Sequence, residues 1–419
     1  MAVDFSQLPE EVPVPEKGPS PLVWSLVFVA LAMVGMAAVL WSWPQDAKSQ
    51  TAWFWVSVTV IPACLAGALA LRPFSHFHKR RNTAMAINTA SKGFRNAVFD
   101  VASVPMAVLD AVYLLHAEEA ENTFEAFLRR ADNPPTRQSR HSREMIVASL
   151  LEPADAALAF DDAERQRATL SWILHSLLKK AADTLNTVPD AVPVRVRLEI
   201  QSILDEATIL GIWSGLSSSV RPAGRAVTPV CQPSGGIWLV DTMLDCWQPA
   251  LRDVVTFVIC ANLSKVRDMD PEPGSCESAC LLVVCPVALA DERKFSVVGR
   301  FHRPQASGDT PAKGALHYAL KWGRVEAVAT GGVVSVGLSK DTAAKLRDAG
   351  RPSDGAVSTD FALDTLLGNT GTTAPWLAAT LALQQAAQSK TPYIVATQDE
   401  ERELFAVLTP VAPEVPQNP

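Results

Sequence analysis

A two-helix transmembrane hairpin followed by an α/β domain with a mixed sheet is the fold class this sequence predicts. Three observations carry it. Two apolar segments, 21–43 and 51–71, lie seven residues apart and contain no charged side chain. Residues 82–225 show helical periodicity. From residue 226 the texture changes to compact apolar runs bounded by Gly, Pro or Asp.

In chain order, residues 1–20 are polar and proline-rich and predict a disordered cytoplasmic tail. The segments PLVWSLVFVALAMVGMAAVLWSW and TAWFWVSVTVIPACLAGALAL each reach the roughly 20 apolar residues a bilayer-crossing helix needs. The short polar PQDAKSQ between them predicts an antiparallel hairpin over 21–71, with membrane lipid around it. Trp24, Trp41, Trp43, Trp53 and Trp55 fall toward segment ends, where aromatic rings prefer the headgroup region. Ala32, Gly35 and Ala38 facing Ala63, Gly67 and Ala70 predict close helix approach, and Pro62 a kink. Arg72, Lys79, Arg80 and Arg81 follow the second segment, and basic flanks face the cytoplasm. The expectation is a multi-pass protein of a bacterial inner membrane with both termini cytoplasmic. Neither segment holds an ionisable group, so the hairpin predicts an anchor rather than an ion path.

The stretches 82–128, 161–185 and 194–210 predict helices, the second through Leu170, Ile173, Leu174, Leu177 and Leu178. The basic loop at 129–143 reads as a solvated connector. In the α/β region, 226–410, the runs GGIWLVDTML, DVVTFVICANL, SACLLVVCPVAL and EAVATGGVVSVGL predict strands. KDTAAKLRDAG and PWLAATLALQQAAQSK predict helices, and TPYIVATQDEERELFAVLTPV a final strand pair. Buried runs alternating with helices favour α/β architecture. Residues 411–419 predict a second disordered tail.

Net charge is −7, which excludes a global basic field for nucleic acid. Seven cysteines in a reducing compartment predict free thiols. Cys280 and Cys285 are separated by an odd number on a predicted strand and so face opposite ways. No C-x2-C pair occurs, and no metal or cofactor is expected. No complete phosphate loop, dinucleotide loop, zinc-protease pair or serine elbow appears.

The most conspicuous loop is LLGNTGTTAPWLAATLAL. Its Asn369, Thr370, Gly371, Thr372 and Thr373 form the candidate ligand-binding group, because the amides of a helix start receive anions. Together with GSCESACLLVVCPVAL, this loop resembles the thiolase and β-ketoacyl-synthase fold family over residues 230–400. The resemblance implies a cysteine nucleophile served by two histidines, or by a histidine and a second cysteine. At the glycine-rich turn, where it implies a histidine, this chain has Asn369. The implied active constellation is therefore degenerate, a pseudoenzyme. The overall layout also resembles accessory membrane proteins of type VI secretion systems.

These readings converge on a non-catalytic, membrane-anchored adaptor that binds a protein partner in a secretion or envelope assembly and can form homo-oligomers. Two alternatives stand beside it. One is a cysteine-dependent enzyme of acyl transfer or lipid chemistry, with Cys246 as nucleophile and His302 or His317 as base. The other is a membrane-associated binding domain for a small anionic ligand at the 366–376 loop.

Overall fold

The computed structural model describes residues 8–44, 49, 51–139, 142–220, 227–231, 235–245, 253–308, 312–326, 329–339, 342–344, 346, 360–399 and 402–411. The chain divides into two compact units, one of residues 4–100 and one formed mainly by residues 101–419.

In the first unit, helix α1 (Pro21–Ser42) is followed by Ala52–Trp55, a wide π turn (Val56–Val60) and helix α2 (Ile61–Ala102). Pro62 packs against Gly35, where an added Cβ would lie 2.7 Å from Pro62 Cβ. The predicted pair of matched spans is corrected here. The second apolar segment does not end at Leu71 but continues past Pro73 and the basic cluster to Ala102, in a helix of 42 residues. Arg72, Lys79 and their neighbours are good helix formers, so charge alone gives the helix no reason to stop. By length and composition α1 and the 52–102 helix could each cross a bilayer, a test that signal sequences and soluble core helices also pass. Residues 9–12 are held as well: Asn88 exchanges two hydrogen bonds with the Val12 backbone, at 2.8 and 2.9 Å, and Arg95 donates to Pro9 O at 2.6 Å.

The second unit is built on eleven described strands in one mixed sheet. In chain order the elements are β1 (Met106–Leu114), α3 (Phe124–Asp132), β2 (Thr136–Gln138), β3 (Met145–Ser149), α4 (Asp162–Lys180), β4 (Val194–Gln201), α5 (Glu206–Val220), β5 (Val227–Cys231), α6 (Trp238–Asp245), β6 (Val255–Asn262), β7 (Ser275–Cys276) and β8 (Ser278–Pro286). There follow β9 (Gly299–Phe301), β10 (Gln305–Ala306), α7 (Ala312–Gly323), β11 (Gly332–Val336), β12 (Phe361–Ala362), α8 (Ala374–Ser389), β13 (Tyr393–Asp399) and β14 (Arg402–Pro410). The sheet runs β12-β11-β13-β14-β9-β1-β8-β6-β4-β5, with β10 beside β14; β2, β3 and β7 form a small second sheet.

This order contains an internal repeat. Taking β1, β4, β5, β6 and β8 as strands one to five, the first half reads 3-2-4-5-1. Taking β9, β11, β12, β13 and β14 likewise, the second half reads 3-2-4-5-1. In each half the fifth strand runs antiparallel to its neighbours, and the two first strands pair antiparallel at Met106–Phe301. Three cores follow. One holds residues of both halves with α6 and α8 between them, one packs α4 and α5 on the outer face of the first half, and one packs α7 on the second. Alternate residues of one strand feed different cores, so Cys280 and Cys285 do lie on opposite faces.

The predicted boundary at 225/226 is therefore absent. The region read as helical supplies two central strands, β1 and β4. Pro105 ends the preceding helix, and VRVRLEIQ alternates with the period of a strand rather than a helix. GGIWLVDTML, read as a strand, forms α6.

Candidate functional site

Strands β4, β5 and β6 are parallel, with β4 between the other two. The chain leaves β4 to one side to form β5, then crosses back to form β6 on the other. Such a reversal leaves a crevice outside the carboxyl ends of the strands, where open α/β sheets bind ligands. Gln201 ends β4 and Asn262 ends β6. A cavity of about 350 Å³ opens there, lined among others by Gln201, Asn262, Ser264, Lys265, Ser275 and Asn369.

The second half supplies the Asn369 wall. Gln201 Oε1 accepts from Thr372 N at 3.1 Å, and Asn369 Oδ1 accepts from Gly371 N at 2.9 Å. Asn369 N donates to Gly274 O at 2.7 Å, and Cys276 N to Asn369 O at 2.8 Å. Thr373 bonds Ser278 through their hydroxyls. Two glycines permit this docking. Gly368 has φ +86°, and a Cβ there would lie 2.1 Å from Gly274 O; at Gly371 (φ +56°) it would lie 2.5 Å from Asn262 Oδ1. Of the predicted ligand group, Asn369 and Gly371 line the cavity, whereas Thr370 and Thr373 are buried. With two of the loop amides taken by side chains, the loop is first a docking element.

The 262–270 wall is strapped by residues that sequence reading missed. Asp162 accepts from Val266 N, Arg267 N and Asp268 N at 2.8–3.0 Å. Gln166 donates to Ser264 O at 3.0 Å and accepts from Ile203 N at 2.8 Å, tying together the loops that leave β4 and β6. Arg165 pairs with Glu277 at 2.6 Å, both fully buried, and Glu277 also accepts from Leu151 N and Ser264 N. The available signal was DDAERQ, a dense polar run opening an otherwise apolar helix.

Cys246 lies outside the described residues. Ahead of it, α6 follows Gly236, which lies beside Pro375, and Arg303 Nη1 binds Asp245, the last described residue of α6, at 2.9 Å. His302 is buried. Because a carbonyl only accepts, its Nδ1 donates to Trp322 O at 3.2 Å, leaving Nε2 to accept from Thr409 at 3.1 Å. Burial, outweighing the Trp322 bond, lowers its pKa to about 4. Both ring nitrogens are thus engaged. His317 is exposed on α7 beside Tyr318.

Among the described cysteines, Cys260, Cys276, Cys280 and Cys285 are fully buried. Burial pushes the Cys285 thiol up to about 12, and burial with Cys280 and Glu199 nearby raises that of Cys260. Cys231 differs. It is half-buried opposite Leu198 of β4 and packs against the outer core of the first half, and burial and then the Glu206 charge raise its pKa.

No family model matches the sequence, and no curated protein does. Solved structures do match. The ketosynthase from module 1 of the bacillaene synthase of Bacillus amyloliquefaciens superposes with a TM-score of 0.50 at 10% identity, covering 75% of this chain and 77% of that one. A β-ketoacyl synthase from Burkholderia phymatum gives 0.47 at 12% identity, covering 74% and 100%. An oxazolomycin ketosynthase domain from Streptomyces albus gives 0.46 at 14%, covering 73% and 95%. The chain has the ketosynthase fold.

That finding corrects several expectations. The ketosynthase likeness spans three quarters of the chain rather than residues 230–400 alone. A transmembrane hairpin carrying a separate α/β domain no longer describes the fold class. The matched proteins are ketosynthases, not adaptors or secretion components, and this displaces the non-catalytic scaffold, the pseudoenzyme and the expectation that the chain is no enzyme. It also displaces the multi-pass inner-membrane location and the lipid partner.

Proposed function

We propose that the protein is a cysteine-dependent acyl-transfer enzyme working at the cleft between the ends of β4 and β6. The supporting observation is a ketosynthase fold whose crossover point carries a polar cavity of about 350 Å³, completed by a loop from the other half. In the reaction a cysteine thiolate attacks the carbonyl of a donor thioester. The carbon–sulfur bond to the donor breaks, the acyl group passes to the enzyme sulfur, and the donor thiolate leaves with the proton the cysteine gave up. Side-chain amides of Gln201 and Asn369 are the donors available to the transient oxyanion.

Cys231 packs against the outer core of the first half and does not line the cavity, so it is our second choice as the acyl-bearing residue. Cys246 is the first, with His317 as its base, or His302 once it gives up the Thr409 bond. A thiol held mostly protonated reacts through its thiolate fraction, so acylation through Cys231 rises from pH 7 to pH 9. The test is to incubate the full chain with an acyl-N-acetylcysteamine thioester, weigh the intact protein and map the adduct in wild type, Cys231→Ser and Cys246→Ser. An acyl adduct lost in one variant supports the reading. A folded wild type that takes up no acyl group at any pH in that range defeats it.

A further inference from the structure

We propose that α2 carries a docking seam for a proline-rich extended segment, and that the chain's own residues 9–18 occupy it as a releasable strap. Strap and seam both lie in the first unit, apart from the acyl-transfer cleft.

The strap runs antiparallel to the helix. Pro9 O accepts from Arg95 Nη2 at 2.6 Å, and Val12 meets Asn88. Gly18 lies against Phe77, where an added Cβ would be 3.2 Å from Cε1. Prolines at 9, 13, 15 and 19 favour the polyproline II conformation, which repeats every three residues. Pro9, Val12, Pro15 and Gly18 then fall on one side of the strap. From residue 9 to 18 such a strap advances about 28 Å, and from residue 95 to 77 the helix covers about 27 Å. The contacts therefore stay in step over the whole length.

The helix presents a seam at the matching period. Phe77, Ala84 and Ser91 recur every seven residues, and Asn88 and Arg95 lie four residues beyond the latter two. Residues so spaced share one helix face. Ala84 and Ser91 are buried and small, which leaves room for a backbone to approach. Asn88 reads that backbone: its Oδ1 accepts from Val12 N at 2.8 Å and its Nδ2 donates to Val12 O at 2.9 Å. A carboxamide used in this way recognises an extended chain with one free N–H rather than a particular side chain. The segment it fits has proline on both sides of a non-proline residue, as Pro9 and Pro13 flank Val12. The hold is light. Val12 is 40% exposed, and the Arg95–Glu11 pair spans 3.9 Å between partly exposed groups, where an ion pair is worth little. Such contacts open locally at low cost, and a competing segment of the same chemistry can then take the seam.

The test keeps the full chain. A fluorescent peptide of residues 8–20 is titrated into wild type, Val12→Pro, and Val12→Pro with Asn88→Ala. Val12→Pro removes the N–H that Asn88 receives and keeps the extended shape. The loosened strap should yield the seam and raise peptide affinity about fivefold over wild type. Asn88→Ala is expected to abolish that gain. Cleavage after Lys17 by a lysine-specific protease, followed by intact mass, reads the strap without added peptide. It should be about fivefold faster in Val12→Pro and in Asn88→Ala than in wild type. Peptide binding that is absent, equal in wild type and Val12→Pro, or retained in the folded double variant overturns the docking seam. Cleavage at the wild-type rate in both single variants overturns the strap. If Val12→Pro fails to fold, cleavage of wild type against Asn88→Ala decides alone.

Discussion

The two halves of the sheet share one strand order and differ in what they do with it. The first half has long strands, eight or nine residues in β1, β4, β6 and β8, and carries the cavity at its crossover point. The second half uses β9 and β12 of three and two residues but a central helix, α8, of sixteen, against eight described residues in α6. Its contribution to the cavity is the loop ahead of that helix. One repeat hosts and the other completes, so duplication has been turned into a division of labour between a receptor edge and an inserted wall.

The strongest way to break this arrangement is at the inserted wall. Gly368→Val combines a φ of +86° with a Cβ colliding with Gly274 O, and we expect a loss on the order of 3 kcal/mol in denaturant unfolding together with loss of the acyl adduct. A similar effect is expected at the receptor edge. Arg165→Met leaves the fully buried Glu277 carboxylate without its partner, costing about 3–5 kcal/mol, and Arg165→Met with Glu277→Leu should recover part of it.

The second half also carries an acid-sensitive group. The His302 pKa is lowered to about 4 from 6.5, so the unfolded chain binds more protons between those values. Stability is full above about pH 6.5 and is lost as pH falls toward 4, by roughly 3 kcal/mol in all. Thermal unfolding of His302→Gln across that range should show a shallower acid slope than wild type.

The link between the halves gives a smaller effect. Trp376 on α8 donates to Glu199 Oε2 on β4 at 2.9 Å, and Trp376→Phe should cost about 2 kcal/mol through the lost bond and volume. Least of all, the exposed pair of Arg137 and Glu152 at 2.9 Å should change stability by under about 0.5 kcal/mol in Arg137→Ala.

Legibility followed the physics of burial. DVVTFVICANL and SACLLVVCPVAL are strands buried on both faces, and their continuous apolar runs announce them. The 161–185 and 374–389 helices carry either a clean apolar stripe or an alanine-rich body, and both were legible. β1 was not, because MAVLDAVYL holds no contrast between its faces: both cores bury it. The alternation in VRVRLEIQ was readable and was overridden by the helical pattern that continues into α5. At the site, Asn369 was conspicuous for its glycine-rich setting. Gln201, Asn262 and Ser275 were not, since single polar residues at strand ends acquire meaning only when the crossover brings them together. The repeat itself is one of topology, with no repeating motif in the residues.

The pairing of β1 with β9 also has a consequence for synthesis. One edge of β1 is taken by β8, but the other receives Phe301, Arg300 and Gly299 against Met106, Ala107 and Val108. A ribosome must therefore add nearly two hundred residues after β1 before that edge has its native neighbour. Until then the nascent first half offers an apolar strand with unpaired backbone groups, the kind of edge on which chains associate wrongly. Truncation ahead of residue 299 should accordingly yield a product that depends on chaperones and aggregates without them.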